Sequence, residues 1–443
     1  MKHIIIVGFE SAGLTAAAAA RATDRSAKIT VIERRGYAIY HPCGIPFAIG
    51  GDVPNIELLI EPAPPMANVE VRTSTEAVAL DPEARTIEVR ELGTDREESL
   101  SYDALVLATG SYAFKPPIPG IGLKHVYAVK TVEDGRAIIE ALGRAERALV
   151  VGAGPIGIET AMALKKRGLS VTIVEMLPNV LPGMLDQDMA ELVSRKLQEG
   201  GIGVMCGHRI QEIRGREVVQ SAIVNGQELP TDIVIVATGV RPEVRLAKEA
   251  GIEIGETGGI KVDDHLRTSA SDVYAAGDCA ESICLVTKRP ILSQLATTAI
   301  RMGRVAGINA AGGDEVFDGT LNTVVTSAYD LEIASTGLTS QSARAAGIEP
   351  ISGRIRALNR PKYYPGAMPI WVKLLVEPVE HRIIGGQLVG AKGAAERANL
   401  LALAIRKGMT VEELAKLEHC YAPPVCDCID PLVMAAEAIL RRL

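Results

Sequence analysis

The sequence predicts an α/β architecture in which one strand–turn–helix design is used twice, followed by a smaller α+β unit. Three observations predict it. Residues 3–8 (HIIIVG) form a β-branched run ending in glycine, and Ser11, Ala12, Gly13 and an alanine-rich stretch of helical character follow. Residues 148–157 (ALVVGAGPIG) repeat the pattern in sharper form. Each copy then leads into a further β-branched strand closing on a carboxylate, ITVIE at Glu33 and VTIVE at Glu175. A short apolar run punctuated by glycine reads as a buried parallel strand, and the change from β-branched residues to alanine marks the passage from strand to helix.

Size and composition fit this design. At ~150 residues per domain, 443 residues make about three domains. A hydrophobic content of 47% gives each a core and excludes a disordered chain. The net charge of −7, with no long basic run, argues against a nucleic-acid partner, because neutralisation of phosphates by Lys and Arg is the usual source of that affinity. Seven irregularly spaced cysteines do not make the framework of a secreted scaffold; they suit a reducing compartment, where cysteine chemistry is catalytic. The apolar run after Lys2 imitates a signal peptide, but Gly8, Glu10 and Gly13 interrupt it, and no window holds the ~18 apolar residues of a membrane span. A cytoplasmic protein without a membrane partner is expected.

The glycines of the second turn have separable jobs. Gly152 makes the tight turn, Gly154 lets the backbone approach a pyrophosphate, and Gly157 allows close helix-to-strand packing. Glu33 and Glu175 follow Gly8 and Gly152 by 25 and 23 residues, a spacing that suits an acid accepting the ribose hydroxyls of an adenosine. Strands ending in ALVLATG (104–110) and VIVATG (234–239) complete the two units, so two Rossmann-like dinucleotide-binding folds are expected. Candidate contacts are Gly8, Ser11, Ala12, Gly13, Glu33, Arg34, Thr109 and Gly110 at the first site. At the second they are Gly152, Gly154, Ile156, Gly157, Glu175 and Gly239. The first fingerprint departs from the pattern at Glu10, which stands where the middle glycine would be. Met176 and Leu177 follow Glu175 with no arginine to meet a 2′-phosphate, so the second site should prefer NADH over NADPH.

With these motifs the sequence resembles the FAD-dependent pyridine-nucleotide disulfide oxidoreductases across nearly its whole length. TSASDVYAAGDCAE (268–281) looks like the family's second flavin motif, and the resemblance implies that Gly277 and Asp278 contact FAD, with Asp278 on the ribitol hydroxyls. It also implies the nested, glutathione reductase-type layout. An FAD domain of residues 1–112 and 246–325 would enclose an NADH domain of residues 113–245, and residues 326–443 would form an α+β C-terminal dimerisation domain. A homodimer follows from the resemblance. The last segment, HCYAPPVCDCIDPLVMAAEAI, also reads from its residues, with Asp430 as N-cap and Pro431 at the first position of a short helix.

Cysteine spacing selects the branch. Disulfide reductases such as glutathione reductase place two cysteines in one short helix, whereas Cys43, in HPCGIP, has Ala38 and Ala48 five residues to either side. The chain is similar to the single-cysteine branch of coenzyme A disulfide reductases, NADH-dependent sulfur or persulfide reductases, and NADH oxidases. In that branch NADH oxidases and peroxidases commonly carry a histidine where this chain has Ser11, which counts against oxygen as the main acceptor. A small thiol disulfide or sulfur species is expected instead. Cys43 at a helix N-terminus should have its thiolate favoured, and thiolate is the form that attacks sulfur. Ile39 and Pro42 depart from the serine and asparagine that the family often has there. Two other readings stand beside this one: an NADH oxidase, and a flavin-bound redox sensor or interaction protein.

Several groups around this chemistry remain open between roles. By resemblance Tyr364 and Tyr421 reach the cysteine of the partner subunit and protonate the departing thiolate; alternatively they are interface tyrosines with satisfied hydroxyls. His41 and His419 are further candidates for this acid, and otherwise read as packing or surface residues. Cys426 and Cys428 are candidates for a redox relay, with Cys420 close by, or are inert packed thiols; Cys-x-Cys is not the usual zinc spacing, so no metal is expected. Arg354, Arg356, Arg360 and Lys362 would make either a basic rim for coenzyme A phosphates or a solvated surface.

Overall fold

The computed structural model describes residues 1–443. The first unit is a five-stranded parallel sheet in the order Val273–Ala275, Ala104–Leu107, His3–Val7, Lys28–Ile32, Val69–Arg72. Its inner strands are buried on both faces, which is why they read as unbroken apolar runs, whereas the edge strand Val69–Arg72 alternates. The edge strand Val273–Ala275 comes from far down the chain, after the whole of the second unit. That unit repeats the five-stranded parallel design in the order Val126–Ala128, Ile233–Val236, Arg147–Val151, Ser170–Glu175, Ile202–Cys206. Each unit also carries a three-stranded antiparallel sheet, Thr75–Asp81 with Thr86–Glu91 and Arg96–Ser101 in the first, Ile210–Gly215 with Val219–Val224 and Gln227–Pro230 in the second. The chain leaves the first unit and returns to it through one antiparallel pair, Ser111–Ala113 against Val240–Pro242.

Residues after 323 build a five-stranded antiparallel sheet ordered Val324–Ala328, Leu331–Gly337, Ile383–Gly390, Pro369–Val376, Ile351–Leu358. Helices Ala394–Arg406 and Pro431–Leu440 pack on it. Asp430 caps the second of these by accepting a hydrogen bond from the Leu432 amide at 2.8 Å, with Pro431 at the first helical position. The same carboxylate meets the buried guanidinium of Arg397 at 2.8 Å, so it ties two helices together.

Two features position the site. Helix Ser11–Thr23 is alanine-rich because helix Ala296–Ala310 crosses it at close range, and a Cβ at Gly303 or Gly307 would run into the carbonyl oxygens of Ala12 or Ala16. The short helix Ile45–Gly50, directly after Cys43, buries Ile45 and Ile49 completely in the core that it shares with helix Pro155–Lys166 of the second unit. Burial of each such side chain contributes about 1.5–3 kcal/mol, so Cys43 is anchored against the second unit although its strands belong to the first.

Candidate active site

The two glycine turns have the same construction. Gly8 has φ +97° and Gly152 φ +104°, a left-handed conformation that costs a glycine nothing, and at each a Cβ would strike the carbonyl of the adjacent strand's end, Ala108 or Ala237. Gly13 and Gly157 face the carbonyls of Gly8 and Gly152 so closely that neither position accepts a side chain. The two acids are held alike. Glu33 accepts from the amides of Phe9 at 3.0 Å and Arg35 at 2.9 Å; Glu175 accepts from those of Ala153 and Leu177, both at 2.8 Å. Both carboxylates are buried, and these bonds fix them at the rim of the turn, where adenosine ribose hydroxyls would be met.

At the second turn a Cβ on Gly154 would meet no atom within 4 Å, so the N-terminus of helix Pro155–Lys166 is open to a phosphate, with Ile156 exposed beside it. Gly239, φ +91°, also faces open space at the end of its strand. Met176 and Leu177 are exposed, and the Glu175 carboxylate is met by backbone amides and by no cation.

At the first turn Ser11 opens the helix, its carbonyl accepting from the Thr15 hydroxyl, and Ala12 packs beneath Gly277. Arg34 does not close on Glu33. Its side chain is 70% exposed and lies 3.9 Å from Glu76. Arg35 takes that place, its Nε 2.8 Å from Glu33 Oε1 and its guanidinium 4.4 Å over the Tyr40 ring. Two neighbours in a turn point in different directions, and spacing alone does not say which faces inward.

Thr109 bonds the Glu243 carbonyl at 2.6 Å, leaving Gly110 at the hinge between the units. Beside it the Ser111 hydroxyl donates to Asp278 Oδ2 at 2.6 Å, and Lys130 donates to that hydroxyl at 2.9 Å while lying 3.8 Å from the carboxylate. Ser111 and Lys130 carry no recognisable motif; only the fold brings them to Asp278. The glycine cradle and buried acid at one end, and this hydroxyl-binding cluster at the other, fit a flavin dinucleotide.

Cys43 stands in the single turn Pro42–Gly44, exposed, between the first unit and helix Ile45–Gly50. The expected activation by a helix N-terminus is absent. The helix has six residues and starts after Cys43, and partial desolvation pushes the thiol above its ordinary range. Glu159, Asp278 and Glu10 push in the same direction, and Lys130 alone opposes them. Glu159 is raised as well, by burial, although the Thr326 hydroxyl donates to it at 2.6 Å. His41 pairs with Glu61 at 3.0 Å, away from this set of charges.

The C-terminal loop rearranges the remaining candidates. The Tyr421 hydroxyl meets that of Tyr363 at 3.0 Å, whereas Tyr364 lies under the Arg360 guanidinium, 5.8 Å from its ring centroid. The Tyr363 bond, with Cys428 and Asp427 nearby, pushes the Tyr421 phenol up to about 12. Cys426 is buried, its thiol donating to the Cys420 carbonyl at 3.1 Å, while Cys428 is exposed; all seven cysteines are free. The structure therefore does not join Cys426 to Cys428. His419 bonds the carbonyls of Leu417 and Cys428. Arg354 pairs with Asp188, and Arg356 lies over Trp371.

Comparison with known proteins places this geometry among relatives. The family model described as pyridine nucleotide-disulphide oxidoreductase matches residues 2–303, and that of the family's dimerisation domain matches residues 323–430. The chain is 41% identical to a Methanocaldococcus jannaschii protein named NADH oxidase over 446 residues, with 99% of both chains covered. It is 34% identical to a Pyrococcus furiosus NAD(P)H sulfur oxidoreductase (CoA-dependent), again over 99% of each. Among solved structures, an NAD-dependent persulfide reductase from A. fulgidus superposes with a TM-score of 0.96 at 39% identity, covering 99% of this chain and 83% of the other.

Proposed function

This chain belongs to the pyridine nucleotide-disulphide oxidoreductase family, and we propose that it is an FAD-dependent enzyme that passes reducing equivalents from NADH to Cys43 and on to a small disulfide, persulfide or polysulfide. The observation that supports this reading is one exposed thiol, with no second cysteine paired to it, on which the charges of Lys130, Asp278 and Glu159 act. In this reading residues 1–112 and 246–325 hold FAD, residues 113–245 hold NADH, and residues 326–443 form the dimer contact. The enzyme is a cytoplasmic homodimer; no helix is long and apolar enough to cross a membrane.

The residues divide the work. Gly8 and Gly13 shape the flavin cradle, Glu33 takes the ribose hydroxyls, and Asp278, steadied by Ser111 and Lys130, takes the ribitol chain. Gly152, Gly154, Gly157 and Glu175 do the same for NADH, and the unpaired charge of Glu175 repels a 2′-phosphate. FAD, when bound, supplies the two-electron chemistry between nicotinamide and sulfur. The Cys43 thiolate attacks one sulfur of the acceptor R–S–S–R′; a Cys43–S–S–R bond forms as the R′S⁻ thiolate leaves. Two electrons and a proton then return Cys43 and release RSH. Lys130 is the cation that favours the Cys43 thiolate. Tyr421, held by Tyr363, protonates the leaving thiolate from the partner subunit. In support, exposed apolar residues Tyr363, Tyr421, Val425 and Ile429 crowd this loop, as a subunit contact requires.

Anaerobic NADH oxidation by the FAD-loaded protein, measured against coenzyme A disulfide, other small disulfides and polysulfide, tests the reading. Turnover with at least one acceptor, lost in Cys43→Ser with flavin content unchanged, is expected. A second reading, NADH oxidase, is favoured by the Methanocaldococcus relative. Oxygen consumption far above every anaerobic rate would establish it and displace the first.

A further inference from the structure

Because the two glycine turns are built alike, each serves as a reference for the other. Glu10 and Gly154 hold equivalent places, each the residue before its helix, with φ −78°, ψ −165° and φ −72°, ψ 179°. At Gly154 the space a Cβ would fill is open, as close approach of a pyrophosphate requires. At the first turn the same place carries a carboxylate. It is drawn back into the protein: Oε1 is shut off from solvent, makes no hydrogen bond, and lies 3.1 Å from Arg35 Nη1 at ion-pair distance. Arg35 is already shared, since its Nε and Nη2 donate to Glu33 at 2.8 and 2.9 Å. One guanidinium therefore serves two carboxylates at the end of the cradle where phosphate charge must arrive.

We propose that Glu10 sets the affinity of the flavin site: it is a resident negative charge at the phosphate-binding end of the first turn, and it takes up a proton when the pyrophosphate of FAD is seated. The inference rests on the flavin reading of this site. The groups that act on Glu10 are Glu33 and Arg35 from the adjoining strand end, Tyr37, Tyr40 and Cys43 from the following segment, and Lys130 from the second unit. Only Arg35 and Lys130 are cationic. Burial, aided by Glu33, outweighs both of them and the Tyr40 backbone hydrogen bond that also favours the charged form, and pushes the Glu10 carboxyl up to about 7 before any ligand is added. A pyrophosphate adds like charge at short range and moves it higher still, so the complex holds the proton at pH values where the free site has lost it. Linkage then gives the sign. Below about pH 7 both states are protonated and affinity is constant; above it, binding requires proton uptake and weakens as pH rises.

The test is FAD binding to flavin-stripped protein, followed by quenching of flavin fluorescence between about pH 6 and 9. For wild type the Kd should be flat below about pH 7 and then rise by up to ~tenfold per pH unit, the limit for one proton. Glu10→Gln, which keeps the shape without the charge, and Glu10→Gly, which restores the bare cradle, should both lack the slope. Both should bind about tenfold or more tightly than wild type at pH 8. A slope that persists unchanged in Glu10→Gln, or weaker binding by that variant at pH 8, overturns the proposal. Wild-type protein that takes up no flavin at any pH overturns the flavin reading and this inference with it.

Discussion

Cys43 works against its surroundings. Partial desolvation and the carboxylates of Glu159, Asp278 and Glu10 keep it protonated further up the pH scale than an ordinary thiol, and Lys130 is the one charge on the other side. Glu159→Gln should therefore lower the pH midpoint for Cys43 alkylation and speed iodoacetamide reaction of the flavin-free protein at pH 7.5 by roughly threefold, while Lys130→Met slows it by a similar factor. Equal rates in wild type and both variants would remove these charges from the account. The positions of Glu33 and Glu175 at the rims of their turns were legible in the sequence because glycine turns and strand ends fix local spacing, whereas Cys43 stood out by family resemblance. Lys130, Glu159 and Tyr363 were not legible, since each meets its partner only through tertiary packing. The pairing of Arg35 with Glu33 left no signal in the sequence, because the inward side of a turn depends on backbone direction, which one-residue spacing does not reveal.

At the scale of elements, the sequence made the paired units plain, because buried parallel strands and alanine-rich helices each have their own composition. It made the helix at Cys43 look like one element. Pro42 and Pro46 instead split the segment into a single turn and a six-residue helix, too short to exert much dipole on a thiol that precedes it. The crossing of helices Ser11–Thr23 and Ala296–Ala310 yields a direct prediction. Gly307→Val must push a branched side chain onto the Ala16 carbonyl, so it should cost about 3 kcal/mol and lower the thermal midpoint by roughly 5–10 °C. Gly143→Ala, where a Cβ meets nothing within 4 Å, is the control and should leave the midpoint unchanged within about 2 °C. Equal midpoints for all three proteins, followed by circular dichroism, would show that this crossing tolerates separation. Because its partner, helix Ser11–Thr23, opens at the first glycine turn, weaker flavin retention should accompany the loss of stability.

Where the second unit meets the C-terminal sheet, a charge cluster lies beside their shared apolar core. Lys373 lies 2.9 Å from Asp186 and 2.7 Å from Asp188, and the Ser340 hydroxyl donates to Asp186 at 2.6 Å. Burial raises the Asp186 carboxyl, but Ser340 and Lys373 outweigh it and hold the group below the ordinary range. Its stabilisation is thus complete at neutral pH and lost only as pH falls through that lowered value. Lys373→Met strands a buried carboxylate and should cost about 3 kcal/mol at pH 7 in urea unfolding, with the gap to wild type narrowing in acid, where Asp186 is protonated in both. Assembly of two such chains decides the last question, which chain supplies the tyrosine. Within one chain the charges acting on Cys43 come from residues 10 to 278 and those acting on Tyr421 from residues 363 to 428, with none in common. If the partner supplies Tyr421, a heterodimer of Cys43→Ser with Tyr421→Phe, isolated by two affinity tags, has one site carrying both defects and one carrying neither. Such a heterodimer should turn over at about half the wild-type rate, with wild-type pH dependence, although the Cys43→Ser homodimer is inactive and the Tyr421→Phe homodimer slow. If each site is built within one chain, the heterodimer pairs a dead site with a slow one, and its rate falls to half that of the Tyr421→Phe homodimer.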